Sequence, residues 1–117
     1  MRLLQRFLWQ LAARGLHDRI AFVTDGRTSG TNKGCAIAHV APEAAEGGPL
    51  AVAREGDTIV IDIPEGRLDL QVPAEELRRR IECWEPRAPS ACRGFLSIYA
   101  RMAKSADRGA ALEYGAE

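Results

Sequence analysis

Apolar residues recur along the first fourteen positions at helical spacing. Leu4, Phe7, Leu8 and Leu11 fall at i, i+3, i+4 and i+7, which puts them on one face. Arg6, Gln10 and Arg14 lie elsewhere on the wheel, so the pattern predicts an amphipathic helix over 2–14 with Gly15 as its stop. The rhythm then changes. Residues 19–24 are rich in apolar and β-branched types and read as a strand. Asp25-Gly26 opens a long polar, glycine-rich loop. Residues 35–40 fit a short buried helix or a strand, and periodicity does not choose between them. Pro42–Glu46 suits one helical turn, ended by Gly47-Gly48-Pro49.

Alternation by two dominates the middle of the chain. Leu50–Ala53 reads as a strand. Thr58–Ile63 places Ile59, Ile61 and Ile63 on one face, and Leu68, Leu70 and Val72 alternate again. Turns at Glu55-Gly56-Asp57 and Pro64-Glu65-Gly66 make the span 50–72 an antiparallel meander or hairpin. Pro73 opens a second helix with Leu77 and Ile81 on one face and Arg78–Arg80 facing solvent. Residues 84–91, with Pro86 and Pro89, read as extended. A last helix over 94–104 groups Phe95, Ile98, Tyr99 and Met102 as a core or interface stripe, and the tail after Ala106 should fray. Four to six strands with helices at both ends make an α/β domain around one core. At 117 residues that core is marginal.

Composition narrows the function classes. Sixteen Lys+Arg balance sixteen Asp+Glu, so no basic excess points to nucleic acid and no like-charge block to an interaction tail. No apolar run approaches the ~20 residues of a membrane span. Arg6, Gln10 and Arg14 interrupt the N-terminal apolar run, which argues against a secretory signal. Cys35, Cys83 and Cys92 are odd in number and widely spaced. They read as ordinary buried or half-buried thiols in a reduced cytoplasmic setting, not as a disulfide framework or a metal site.

The candidate chemistry sits in the loop that follows the first strand. Asp25-Gly26-Arg27-Thr28-Ser29-Gly30, with His39-Val40-Ala41-Pro42-Glu43-Ala44-Ala45-Glu46-Gly47-Gly48-Pro49 after it, closely resembles the C-terminal domain of the dihydroxy-acid and phosphogluconate dehydratase family. Glu55–Asp62 looks like that family's next hairpin. Arg93–Ala100 and Ser105–Ala110 look like its C-terminal end. The resemblance implies a swivelling β/β/α domain, a β-barrel-like sheet core with flanking helices. It also implies an N-terminal domain or subunit that carries an iron–sulfur cluster and most ligands of a magnesium ion. The implied reaction removes water from a 2,3-dihydroxy acid or a sugar acid and gives a 2-keto acid. Branched-chain amino-acid biosynthesis is the default pathway by resemblance, and sugar-acid dehydration is its main rival.

By that resemblance Ser29 is the base that takes the C2 proton. Its alkoxide needs oriented amides or a nearby cation, which the backbone at Gly30 and Thr31 could provide. From spacing alone, a serine in a glycine-rich loop more often satisfies turn backbone groups. Arg27 either pairs with a carboxylate of the fold or holds a substrate carboxylate. Asp25 either caps a turn or orients Arg27 and the loop. Glu43 and Glu46 cap the short turn and hydrogen-bond the loop. His39 reads as a hydrogen-bonded core histidine, and His17 and Lys33 as surface residues. Two departures from the family stand out. Leu3 occupies a place where members often carry a glutamate that contributes to magnesium binding, and leucine cannot ligate a hard cation. Thr28 stands where many have phenylalanine, which would widen the pocket. The chain is therefore expected to hold no cofactor alone, to pair with the N-terminal dehydratase part and a small dihydroxy acid, and to form a homodimer. A standalone, non-catalytic binding or assembly module with the same fold is the competing reading.

Overall fold

The computed structural model describes residues 2–28, 33–88 and 93–113. Helix α1 spans Arg2–Ala13. Leu8 and Leu11 are buried at its inner face, and the Phe7 ring meets that of Phe22 at 6.1 Å in a tilted arrangement. The helix closes as its sequence dictates. Gly15 takes φ 66°, Gly15 N–H donates to Ala12 O, and Leu16 N–H donates to Leu11 O at 2.9 Å. This is the double hydrogen-bonded C-terminal cap that a left-handed glycine permits.

Strand β1, Phe22–Val23, pairs in parallel with β2, Ala36–Ile37. Parallel partners need a crossover of about a dozen residues. Here residues 24–35 make that connection. Residues 35–40, open to either reading from periodicity, thus carry a strand. The pairing continues past the strands, with Thr24 N–H donating to Ile37 O and Val40 N–H to Thr24 O. The start of the loop is therefore tied to the segment that returns from it.

A 3-10 turn over Ala44–Glu46 ends at Gly47, and a second follows over Pro49–Ala51. Within Leu50–Ala53, expected as a strand, Leu50 and Ala51 instead complete this second turn. Pro49 at its first position withholds a strand N–H and presets helical φ. Val52, just after it, is the third buried apolar side chain among the described residues. Strands β3, Thr58–Asp62, and β4, Arg67–Gln71, form the expected antiparallel hairpin. Its register sets Ile59 opposite Leu70 and Ile61 opposite Leu68, so the apolar face is shared. Asp62 Oδ1 accepts Glu65 N–H inside the four-residue turn, and this ends β3 before Ile63, which is 76% exposed.

Helix α2, Ala74–Glu82, starts after Pro73, and helix α3 spans Phe95–Met102. Arg80, expected in solvent, is covered: its side chain is 10% exposed and holds Asp57 and Val52 O. The tail does not fray where it is described. A 3-10 turn over Ala106–Arg108 and a bridge between Ala103 and Leu112 tie it back to α3.

The molecule is mixed α/β. Its described strands make two separate two-stranded sheets and no closed barrel. A barrel needs a sheet that returns to its own first strand, and neither pair is extended by a third strand here. Of the α3 stripe expected as core or interface, Phe95 is 69% exposed and Ile98 is exposed, while Tyr99 and Met102 are half-buried.

Candidate functional site

The site is built around residues 24–28, where the chain leaves β1. Gly26 N–H donates to Thr24 Oγ1 at 3.0 Å, a local turn that starts the loop. Asp25 Oδ2 accepts the Ala44 N–H at 2.8 Å, so its carboxylate caps the 3-10 turn nineteen residues on. Arg27 reaches much further. Its Nη1 donates to the Tyr99 hydroxyl, and its Nη2 donates to Lys104 O. The guanidinium carbon lies 5.6 Å from the Tyr99 ring centroid, and Nη2 lies 3.8 Å from Glu43 Oε1. Planarity and a fork of donors let one arginine make all of these contacts at once.

Glu43 anchors the other side. Its side chain is 15% exposed, and it accepts the Ser105 hydroxyl and, at 2.9 Å, the Ala106 N–H. The Ser105 hydroxyl, the Ala106 N–H and the Arg27 charge together hold its carboxyl below the ordinary carboxylate range, against the opposing effect of burial. Ser105 and Ala106 begin the final 3-10 turn. Three stretches distant in sequence, 25–28, 43–44 and 99–106, thus meet in one polar network. A cavity of about 480 Å³ adjoins it, lined by Arg27, Glu43, Arg87, Tyr99, Lys104 and Ser105.

His39 faces Thr28. Thr28 N–H donates to His39 Nε2 at 2.9 Å, and the same nitrogen lies 3.1 Å from Thr28 O. His39 is exposed and its backbone sits at φ 59°. It is a loop residue, not the core histidine expected. The apolar neighbours that suggested burial, Ala38 and Val40, follow β2 and are themselves only half-buried. His17 is half-buried, with Nε2 3.3 Å from Asp18, and Lys33 is exposed. Cys35 is half-buried, whereas Cys83 is exposed at the end of α2. Cys92 lies outside the described residues, as do Ser29, Gly30 and Thr31. Leu3 lies in the first turn of α1.

Sequence reasoning did not find Tyr99 and Ser105 as members of the site. Tyr99 was assigned to an apolar stripe, but its ring packs on a cation while its hydroxyl accepts a hydrogen bond. The one available signal was the presence of both residues in the stretch that resembles the family's C-terminal end.

A family model for the C-terminal part of dihydroxy-acid/6-phosphogluconate dehydratases matches residues 1–110. The chain belongs to this dehydratase family. Among curated relatives, the dihydroxy-acid dehydratase of Ignicoccus hospitalis is 56% identical over 102 residues, covering 87% of this chain and 18% of the relative. That of Acetivibrio thermocellus is 47% identical over 103 residues, covering 88% of this chain and 19% of the relative. That of Lachnospira eligens is 48% identical over 107 residues, covering 92% and 19%. The chain thus spans less than a fifth of the length of the dehydratases it matches. The Arg27–Glu43–Tyr99 network lies within the stretch matched by the dehydratase family model.

Among the described residues no three His, Cys, Asp or Glu side chains gather where they could hold a metal ion. No helix among the described residues is long and apolar enough to cross a membrane.

Proposed function

We propose that this chain is the C-terminal part of a hydro-lyase that dehydrates a 2,3-dihydroxy acid of the dihydroxyisovalerate type to a 2-keto acid. The reading rests on one observation above the others: the match to the family spans the Asp25-Gly26-Arg27-Thr28-Ser29-Gly30 motif. The fixed approach to that motif supports it. Asp25, Arg27 and Thr28 are each bonded to a different part of the domain.

In this reading Ser29 is the base. As an alkoxide it takes the proton from C2. The C–H electron pair forms the C2–C3 double bond, and the C3 hydroxyl leaves as water after gaining a proton. The enol that results tautomerises to the 2-keto acid. The alkoxide needs amide donors, and Gly30 and Thr31 are the residues assigned to supply them. An iron–sulfur cluster and a magnesium ion, held outside this chain, would supply Lewis-acid and charge stabilisation when bound. The partner is the N-terminal dehydratase domain or subunit, in the cytoplasm. Large exposed apolar side chains such as Trp9, Phe95 and Leu96 suit contact with it.

The test is reconstitution. This chain is mixed anaerobically with the cluster-loaded N-terminal part of a related dehydratase, and 2-keto acid is assayed from dihydroxyisovalerate and from a sugar acid. Turnover of dihydroxyisovalerate is expected, with Ser29→Ala lowering kcat by about 10²–10⁴-fold, the usual worth of a general base. Full activity of Ser29→Ala would remove the base assignment. A stable but inactive complex would point to a non-catalytic module, with Leu3 as the first residue to restore to glutamate.

A further inference from the structure

A second cavity, of about 270 Å³, borders the hairpin. The hairpin gives it Ile59, Leu68 and Leu70, while Val23, Val40 and Leu50 come from β1, the stretch after β2 and the second 3-10 turn. The β3–β4 register accounts for the hairpin wall. Ile59 stands opposite Leu70, and Leu68 lies two residues back on the same face. None of the six side chains is buried: Ile59 is 37% exposed, and the other five are half-buried. Side chains that face a gap lose the dispersion contacts of a packed interior. A two-stranded hairpin is also marginal by itself in water, and each of the described sheets has two strands. The groove therefore has the walls of a core without its filling.

The chemistry of the walls selects the occupant. The one charged residue among them is Asp69, whose carboxylate is taken by Arg67 at 2.9 Å. No uncommitted charge is left to orient a small ligand, and the volume falls below the about 300–1,000 Å³ of pockets that enclose one. Apolar side chains of another polypeptide fit instead. This chain covers 18–19% of the dehydratases it matches, so most of such an enzyme lies outside it and can supply them. We propose that the groove between the hairpin and β1 receives apolar side chains of the N-terminal dehydratase part, which complete the core there. This rests on the reading of the chain as one part of that enzyme.

The experiment titrates the N-terminal part of a related dehydratase into this chain and compares wild type, Ile59→Lys and Thr58→Lys. Ile59→Lys puts a charge into the groove. Thr58→Lys adds the same charge one residue away, on the opposite and exposed face of β3. Ile59→Lys is expected to weaken the complex at least about tenfold, since a buried unpaired charge is costly. Thr58→Lys should stay within about twofold. Amide hydrogen exchange in the wild-type chain gives a second readout that needs no variant: exchange across 58–62 and 67–71 should slow severalfold in the complex. Equal binding by both variants with unchanged exchange would overturn the proposal. So would self-association of this chain that Ile59→Lys abolishes while binding to the N-terminal part is retained, because the occupant would then be a second copy. A groove-dependent complex that turns over no dihydroxy acid would support the docking and sink the dehydratase reading. Turnover that Ile59→Lys leaves intact, with binding unchanged, would do the reverse.

Discussion

Arg80 on α2 grips Asp57 with both terminal nitrogens, Nη1 to Oδ2 at 2.6 Å and Nη2 to Oδ1 at 3.2 Å. The two side chains are 10% and 14% exposed, and Arg80 also donates to Val52 O. Asp57 in turn accepts the Arg54 N–H at 2.7 Å. One arginine thus joins the second helix to the turn that launches the hairpin and to the carbonyl of a core residue. Arg80→Ala leaves the half-buried Asp57 carboxylate with the Arg54 N–H alone and takes the guanidinium donor from the Val52 carbonyl, which is the costly way to lose such a contact. We expect its melting temperature to fall several times more than that of Arg67→Ala. The Arg67 pair with Asp69 spans two residues on one exposed strand. Thermal unfolding of the two variants side by side gives the comparison, and equal shifts would contradict it.

The same cluster sets the response to acid. Glu76 binds Arg79 and Arg80 together, and these two guanidinium groups hold its carboxyl down from 4.5 to about 2. Arg80 likewise keeps Asp57 below the ordinary range. A carboxylate whose folded pKa is depressed stabilises fully above its unfolded pKa and loses that contribution as pH falls toward the folded one. Melting temperature is therefore expected to be flat with respect to these groups above about pH 5, and to drop between about 4.5 and 2. Glu76→Gln should melt lower at pH 7 and show a shallower acid limb, so that the two curves converge near pH 2. Parallel curves would show that Glu76 does not drive the loss.

Gly48 is buried between the two 3-10 turns at an ordinary φ of −63°. A side-chain carbon there would sit 1.9 Å from Pro42 O and 2.6 Å from its carbonyl carbon. Backbone cannot swing aside as a side-chain tip can. Gly48→Ala is expected to cost about 1–3 kcal/mol, the usual range for overpacking, read by urea unfolding. Gly56→Ala is the control for a different cause: nothing lies near its added carbon, and only its φ of 91° opposes it.

Leu96 projects from the first turn of α3 and is largely exposed. If α3 packs against the N-terminal dehydratase part, Leu96→Ser should weaken that complex at least severalfold by titration. The stability of this chain should stay within about 0.5 kcal/mol, as for other exposed sites. Equal binding by wild type and variant would move the contact elsewhere.

Local patterns were read well from sequence where one neighbour decides them. The Gly15 stop, the 58–71 hairpin with its apolar face, and the helix after Pro73 follow from periodicity and turn chemistry alone. Leu50–Ala53 was misread because a short apolar run does not state its period, and Pro49 settled it as a turn. Arg80 and His39 were misplaced for a shared reason. One is a charge covered by partners 4 and 23 residues away, the other a histidine turned out by a positive φ, and neither condition is written beside them in the chain. In the site, the 25–30 motif was visible as a motif. Its support by Tyr99 and Ser105 is a tertiary fact, since nothing in the spacing of residues 72 positions apart says that they meet.

The reach of Arg27 also orders events in time. Residues 99–106 leave the ribosome long after Arg27, and at 5–20 residues per second the interval from Arg27 to Tyr99 is about 4–14 s. Until then the loop has no anchor on that side. A product cut short by a premature stop codon before Tyr99 would carry Ser29 but none of the groups that Arg27 holds on α3. Translation through residues 99–106 is thus a condition for the contacts that hold Arg27, and chains stopped before Tyr99 lack them by the topology of the fold itself.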